Sequence, residues 1–186
     1  MTKALVIVDM LNDFVQENGA LPVKGAKDLV ENIAMLAEKA RAQGITVVYA
    51  NDAHAPDDKE FKLWPKHCVK DTYGAQVVEK LKPQLDDLVI TKQDLSLFTN
   101  PDAEWNLTKR LGKLVQQLYI TGVATEYCVG AAALDARKLG YTVNVVVDAI
   151  AGVDLQKGDQ YKALIEMGNA GVRPIDTKTA LEELVR

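Results

Sequence analysis

Three side chains in this sequence, Asp9, Lys92 and Cys128, could together generate a nucleophile at neutral pH. A thiol needs a base to take its proton, and a carboxylate at hydrogen-bond distance can do so. A lysine beside that carboxylate would hold both side chains in place and stabilise the developing anion. Cys128 lies within Leu118–Gly140, LYITGVATEYCVGAAALDARKLG, which reads as a buried strand, a turn at Gly122 and an alanine-rich helix. Unpaired N–H groups and the dipole in the first turns of such a helix favour negative charge, so this thiol is expected to ionise more readily than a free cysteine. The bland alternative is an Asp9–Lys92 ion pair beside an inert, packed Cys128. Convergence of all three weighs against it, because a buried charge without a task is costly.

A second group is Asp52, His54, Glu60 and His67. In an extended segment residues i and i+2 point the same way, so Asp52 and His54 can grip one ion from one side. Glu60 and His67 then come from the following loop, and the chain holds only 2 histidines, both in this window. Imidazole with carboxylate suits one divalent ion of the zinc, iron or manganese type rather than calcium or magnesium. The alternative is a solvated loop with scattered polar residues. Cys68 follows His67 and reads as a small packed residue rather than a ligand. Phe14 and Trp64 are candidate walls for a flat ring, with core packing as the alternative. Asp148 reads as a helix or turn cap, and Asp94 as a solvated loop charge.

These residues must be delivered by the elements around them. Ala4–Val8 is a continuous apolar run, the pattern of a strand buried on both faces of a parallel sheet, and it ends at Asp9. A helical stripe follows over Ala26–Gln43, closed by Gly44. Ile45–Ala50 is a second strand, ending in Asn51-Asp52-Ala53-His54, and residues 55–76 form a long polar loop of the kind that usually carries function. A short helix is expected over Val77–Lys82, and Leu88–Thr91 is a third strand delivering Lys92. Asn100 and Pro101 read as the N-cap and first residue of a helix to about Leu111. Tyr141–Val147 is a fifth strand ending at Asp148, Asp159–Gly168 is helical, Val172–Ile175 is a last strand, and Thr177 caps a terminal helix through Leu184. Alternating strands and helices imply an α/β fold with a mostly parallel sheet, whose ligand site lies beyond the carboxyl ends of the strands. Asp9, Asp52, His54, Lys92 and Cys128 all fall at those ends.

The 186 residues, 48% hydrophobic and 26% charged, suit one globular domain spanning residues 1–186. A net charge of −4 with no Lys/Arg cluster argues against a nucleic-acid partner. The 2 cysteines are far apart, which suits a reducing cytoplasm better than a disulfide framework. The N-terminal apolar run is too short and too soon charged for a signal peptide or membrane span.

The chain resembles the isochorismatase-like cysteine hydrolases and, among them, the nicotinamidases (pyrazinamidases). The resemblance is carried by Asp9, Asn12-Asp13-Phe14, Asp52-Ala53-His54, Trp64-Pro65-Lys66-His67, Lys92 and Gly122-Val123-Ala124-Thr125-Glu126-Tyr127-Cys128-Val129. It implies a catalytic triad of Asp9, Lys92 and Cys128, and a six-stranded mostly parallel sheet with helices on both faces. It implies metal ligands Asp52, His54 and His67, with Glu60 at the position that some members use as a further ligand. It also implies a cis peptide before Ala124, an oxyanion hole from the N–H groups of Ala124 and Cys128, and a pocket that includes Phe14, Trp64, Val123, Ala124 and Tyr127. The expected substrate is a small carboxamide, nicotinamide and also pyrazinamide, hydrolysed through a thioester on Cys128; a homo-oligomer is compatible with the family. Leu11 departs from the pattern, since many relatives carry Gln there. The alternatives are a sister hydrolase acting on carbamoyl, ureido or isochorismate substrates, and a non-catalytic small-molecule-binding member.

Overall fold

The computed structural model describes residues 2–99 and 115–185. Six strands form one sheet: β1 (Thr2–Val8), β2 (Thr46–Asp52), β3 (Leu88–Lys92), β4 (Val115–Val123), β5 (Thr142–Ala151) and β6 (Arg173–Ile175). Their order is β3-β2-β1-β4-β5-β6, and every neighbouring pair is parallel. The sheet is therefore wound outward in both directions from β1 and β4, which leaves a crevice at their carboxyl ends.

β1 is buried on both faces, as its unbroken apolar run predicts: Leu5 and Ile7 enter one core while Ala4, Val6 and Val8 enter the other. The helices Val30–Ala42 and Thr177–Glu183 cover the first face, placing Ile33, Leu36, Ala40 and Ala180 against Leu5, Ile7, Val47 and Tyr49. The helices Gly130–Lys138 and Asp159–Asn169 cover the second, through Ala132, Ala133, Ala136 and Met167. Each large aliphatic side chain taken out of water in this way contributes about 1.5–3 kcal/mol, which fixes the register that sets the strand ends.

Several expected boundaries shift. The helix expected from Ala26 begins as a 3-10 turn over Ala26–Leu29, entered through Gly25 at φ +82°, and becomes α-helical only at Val30. The short helix near Val77–Lys82 is a 3-10 turn at Glu79–Leu81. β4 does not turn at Gly122 but runs through it to Val123: there φ is +104°, and a Cβ would lie 1.9 Å from the Val8 carbonyl oxygen. Only glycine lets β4 approach β1 so closely at the site. β5 continues past Asp148 to Ala151, and the Asp148 carboxylate accepts from the N–H and hydroxyl of Thr177, at 2.7 and 2.8 Å. Asp148 is thus the cap expected of it, although the residue capping the terminal helix locally is Asp176, which accepts from Thr179 N–H. Thr177 is the helix's first residue. The helix expected from Asn100 to Leu111 lies outside the described residues. Among the described residues, no helix is long and apolar enough to cross a membrane.

Candidate active site and metal centre

Register brings the first charged pair together. Asp52 and Lys92 end adjacent parallel strands and are direct partners in the β2–β3 ladder, so their side chains meet on the same face in a charge-assisted hydrogen bond. Asp9 follows β1 at φ +52°, a conformation that non-glycine residues rarely adopt. It is held there from both sides: its N–H donates to Ala50 O at 2.9 Å, and its Oδ1 accepts from Asp52 N–H at 2.8 Å. Its other oxygen lies 2.8 Å from Lys92 Nζ.

Cys128 arrives from across the crevice. After β4 comes a cis Val123–Ala124 bond, as the resemblance implies, and then a π-helical turn over Thr125–Val129, in which Tyr127 departs from helical geometry. This presents Sγ 3.3 Å from Lys92 Nζ and brings it within 4.8 Å of a carboxylate oxygen of Asp9 and of Asp52. The expected trio is therefore one buried cluster, with Asp9 1%, Lys92 3% and Cys128 8% exposed.

Electrostatics correct one expectation. Burial, with Asp9 and Asp52 close by, pushes the Cys128 thiol well above its ordinary range, and the Lys92 ammonium only partly opposes this. The turn at Cys128 does not make it a resting thiolate, because desolvation beside two carboxylates outweighs the helix-terminal N–H groups. Burial and the Asp52 charge likewise raise Asp9 to about 6, against the pull of Lys92. Burial alone would lower the Lys92 pKa, but the Asp9 and Asp52 carboxylates lift it well above the usual lysine range. The resting cluster at neutral pH is a neutral thiol, an ionised Asp9 able to accept a proton, and a fixed cation between them.

Beside it stands the second group. The ligand atoms of Asp52, His54 and His67, all buried, lie within 4.8 Å of one another. His54 Nε2 is buried with no hydrogen-bond partner, with Asp52 Oδ2 at 3.6 Å and Glu60 Oε2 at 3.9 Å. His67 Nε2 has Glu60 Oε1 at 4.0 Å, so Glu60 borders the cluster from its more exposed side without joining the three atoms that converge. The far nitrogens are engaged: His54 Nδ1 pairs with Asp58 Oδ2 at 3.0 Å and His67 Nδ1 with Pro65 O at 2.7 Å. That pattern aims both Nε2 lone pairs inward, as metal-ligating histidines require. Asp52 first, then Asp58, raises the His54 pKa to about 9, so the surroundings favour a positive charge at this point. The donor set fits a divalent ion of the zinc class. Sequence reasoning passed over Asp58, which also caps the Lys59–Lys62 turn through Glu60 N–H at 2.9 Å. A loop carboxylate near a histidine was the available signal.

Both groups open onto one narrow cavity of about 60 Å³. Phe14, Trp64, Val123, Ala124 and Tyr127 line it as expected, and Trp64 meets Tyr127 edge-on, ring centroids 5.6 Å apart. Leu21, Val23, Leu95 and Val153, which the sequence did not single out, complete the apolar wall. Asp94 is exposed, as expected of a loop charge, but stands on the cavity's lining. Cys68 is fully buried and free, with its thiol pushed up by burial, as a packed residue should be.

The sequence pattern of the isochorismatase domain matches residues 3–179. The chain is 34% identical to the nicotinamidase/pyrazinamidase of Mycobacterium tuberculosis, over 91% of this chain and 96% of that one. It is 32% identical to a probable inactive nicotinamidase of Arabidopsis thaliana, over 97% and 95%. The crystal structure of the Pyrococcus horikoshii pyrazinamidase in complex with zinc superposes with a TM-score of 0.86 at 34% identity, covering 95% of this chain and 99% of that one. A doubly wound sheet with a carboxylate, ammonium and thiol gathered at its crevice, together with these likenesses, places the chain in the isochorismatase family of hydrolases.

Proposed function

We propose that this protein is a nicotinamidase, hydrolysing nicotinamide, and also pyrazinamide, to the acid and ammonia. The observation that carries the reading is an apolar cavity lined by Asp9 and Cys128 of one cluster and by Asp52 and His67 of the other, with Lys92 and His54 behind them. Phe14, Trp64 and Tyr127 can sandwich a flat heteroaromatic ring. Asp52, His54 and His67, with Glu60 at the edge, would hold a divalent cation, which when bound supplies a positive anchoring point for a ring nitrogen.

The chain's own residues then do the covalent chemistry. Asp9 takes the Cys128 proton as sulfur attacks the carboxamide carbon. The N–H groups of Ala124 and Cys128 receive the oxyanion, an interaction whose loss typically costs about 3–4 kcal/mol in the barrier. Collapse breaks the C–N bond while Asp9 returns its proton to the departing ammonia, leaving a thioester. Asp9 next removes a proton from water as it attacks that thioester; the acid leaves and the proton passes back to sulfur. Lys92 stays protonated throughout and holds Asp9 and Sγ in register.

A sister hydrolase for carbamoyl or ureido acids is disfavoured by the lining of the cavity. Among the described lining residues there is no lysine or arginine to meet a substrate carboxylate, and Glu60 and Asp94 add negative charge. The test is ammonia release from nicotinamide, pyrazinamide and a ureido acid, run with metal analysis. The two heteroaromatic amides should turn over at least about a hundredfold faster than the ureido acid, since the aromatic wall suits a flat ring and leaves a desolvated carboxylate without a cationic side chain. No ammonia from any of the three would favour a non-catalytic binding protein, and preference for the ureido acid would favour the sister hydrolase. In the same assay His54→Ala should lose its bound metal and raise KM at least about tenfold; unchanged metal content would remove His54 from the ligand set.

The pH profile follows from Asp9. Its base form predominates above about 6, so kcat/KM for nicotinamide should climb with unit slope below that pH and level off above it. Lys92 keeps its proton beyond the ordinary lysine range, so no falling limb is expected up to about pH 10. A profile that instead rises only above pH 8 would mean that the thiol ionises unaided.

A further inference from the structure

Asp13 lies outside both clusters, yet its carboxylate joins two segments that build the cavity. Its Oδ2 accepts from Cys68 N–H at 2.8 Å, and its Oδ1 from Ala20 N–H at 3.2 Å. Cys68 follows the ligand His67 and sits at φ +45°, a backbone state that side chains other than glycine rarely adopt and that turns its N–H toward Asp13. The Cys68 carbonyl accepts from His54 N–H at 3.0 Å, so one chain of hydrogen bonds runs from Asp13 through Cys68 to the other histidine. Ala20 precedes Leu21 of the apolar wall, and Leu21 N–H donates to the Asp13 carbonyl at 3.1 Å.

Two glycines make room for this arrangement. A Cβ on Gly74 would lie 2.0 Å from Asp13 Oδ2, and one on Gly19 would lie 2.3 Å from the Asp13 carbonyl oxygen. Asp13 N–H in turn donates to Gly74 O at 3.0 Å. Its neighbour Phe14 packs on the His67 ring, with centroids 5.3 Å apart. A residue fixed on every side, with each carboxylate oxygen on a different loop, is built to set a spacing.

We propose that Asp13 is a positioning residue that fixes the His67 ligand loop relative to the Leu21 wall, and thereby sets the distance between the metal and the bound ring. The inference rests on the functional reading above for the identity of the ring but not for the metal.

Asp13→Asn and Gly74→Ala test it, the first by replacing one acceptor with a donor and the second by displacing the same carboxylate. Zinc affinity is measured by competition with a chromophoric chelator, the visible spectrum is recorded on protein loaded with Co²⁺, and kcat and KM are measured on nicotinamide. Both variants should bind zinc about tenfold more weakly, in the range seen when groups orienting a ligand are removed. Their cobalt band should shift, and KM should rise more than kcat falls. In Gly74→Ala/Asp13→Ala the clash is gone, so zinc affinity should match that of Asp13→Ala alone, a non-additivity that marks one shared contact. A purely structural Asp13 would lower the unfolding temperature and leave the cobalt spectrum and KM of the folded variants at wild-type values; that result, strict additivity, or a wild-type protein that takes up no metal would overturn the proposal. Affinity and spectrum are read without substrate. A wild-type protein that binds zinc but leaves nicotinamide intact would therefore sink the functional reading while the spectra still decide this one.

Discussion

Cys128→Ala is expected to lower kcat for nicotinamide by at least about 10⁴-fold, the scale on which covalent catalysis disappears when its nucleophile is removed. Metal content should be unchanged, because Asp52, His54 and His67 gather without help from the sulfur. The fold should also survive, since alanine fills most of the volume of a small side chain in a well-packed turn. Cys68→Ala is the control with the opposite outcome. Cys68 is completely buried and its thiol is held neutral by burial, so that variant should lose some stability and keep its turnover. Mass spectrometry of enzyme quenched during turnover should find the acyl adduct on Cys128 alone. Turnover retained by Cys128→Ala, or an adduct on Cys68, would remove the proposed nucleophile.

The contrast between the two cysteines also marks how far a sequence can be read. That Asp9, Lys92 and Cys128 would meet was legible, because each ends or follows a run whose apolar pattern makes it a buried strand, and strand ends in a parallel sheet share one edge. The ionisation of Cys128 was not: helix-terminal N–H groups are visible in a sequence, whereas desolvation by residues from β1 and β2 is a property of the assembled crevice. The pairing of Asp52 with Lys92 depends on a strand register that no local pattern encodes. Leu21, Val23 and Val153 escaped for the same reason, as apolar residues on loops whose packing partners are distant in the chain. Asp13 was visible only as part of the Asn12-Asp13-Phe14 segment, with no partner assigned, and Asp58 only as one of many loop carboxylates. Helix starts slipped at Ala26 and Thr177, where a 3-10 turn and an Asp176 cap fall within a residue or a turn of the expected positions.

Lys92→Met should cost both activity and stability, and the pH dependence of the second separates charge from packing. Lys92 is 3% exposed and faces Asp9, Asp52 and Cys128. Methionine conserves much of the volume, so the change chiefly removes a cation and leaves two buried carboxylates facing each other. Breaking a buried pair from one side typically costs about 3–5 kcal/mol, which in a chain of this size corresponds to a drop of about 6–20 °C in Tm. The loss should shrink on acidification. Asp9 already has a folded-state pKa of about 6, above its unfolded value of 3.8, and loss of Lys92 raises it further. A carboxyl whose folded pKa is raised stabilises the fold below the unfolded pKa and loses that contribution as pH rises through the folded one. The variant should therefore approach wild-type stability near pH 4–5 and fall behind it above pH 6. Asp9→Asn/Lys92→Met should be more stable at pH 7 than Lys92→Met alone, because folding no longer has to take up a proton at Asp9. Turnover should fall by about 10²–10⁴ at pH 7, where Asp9 of the variant carries a proton and cannot act as the base. Equal unfolding midpoints for Lys92→Met and wild type at pH 5 and pH 8 would show that the ammonium does not neutralise this crevice, and the proton path from sulfur to Asp9 would lose its electrostatic basis.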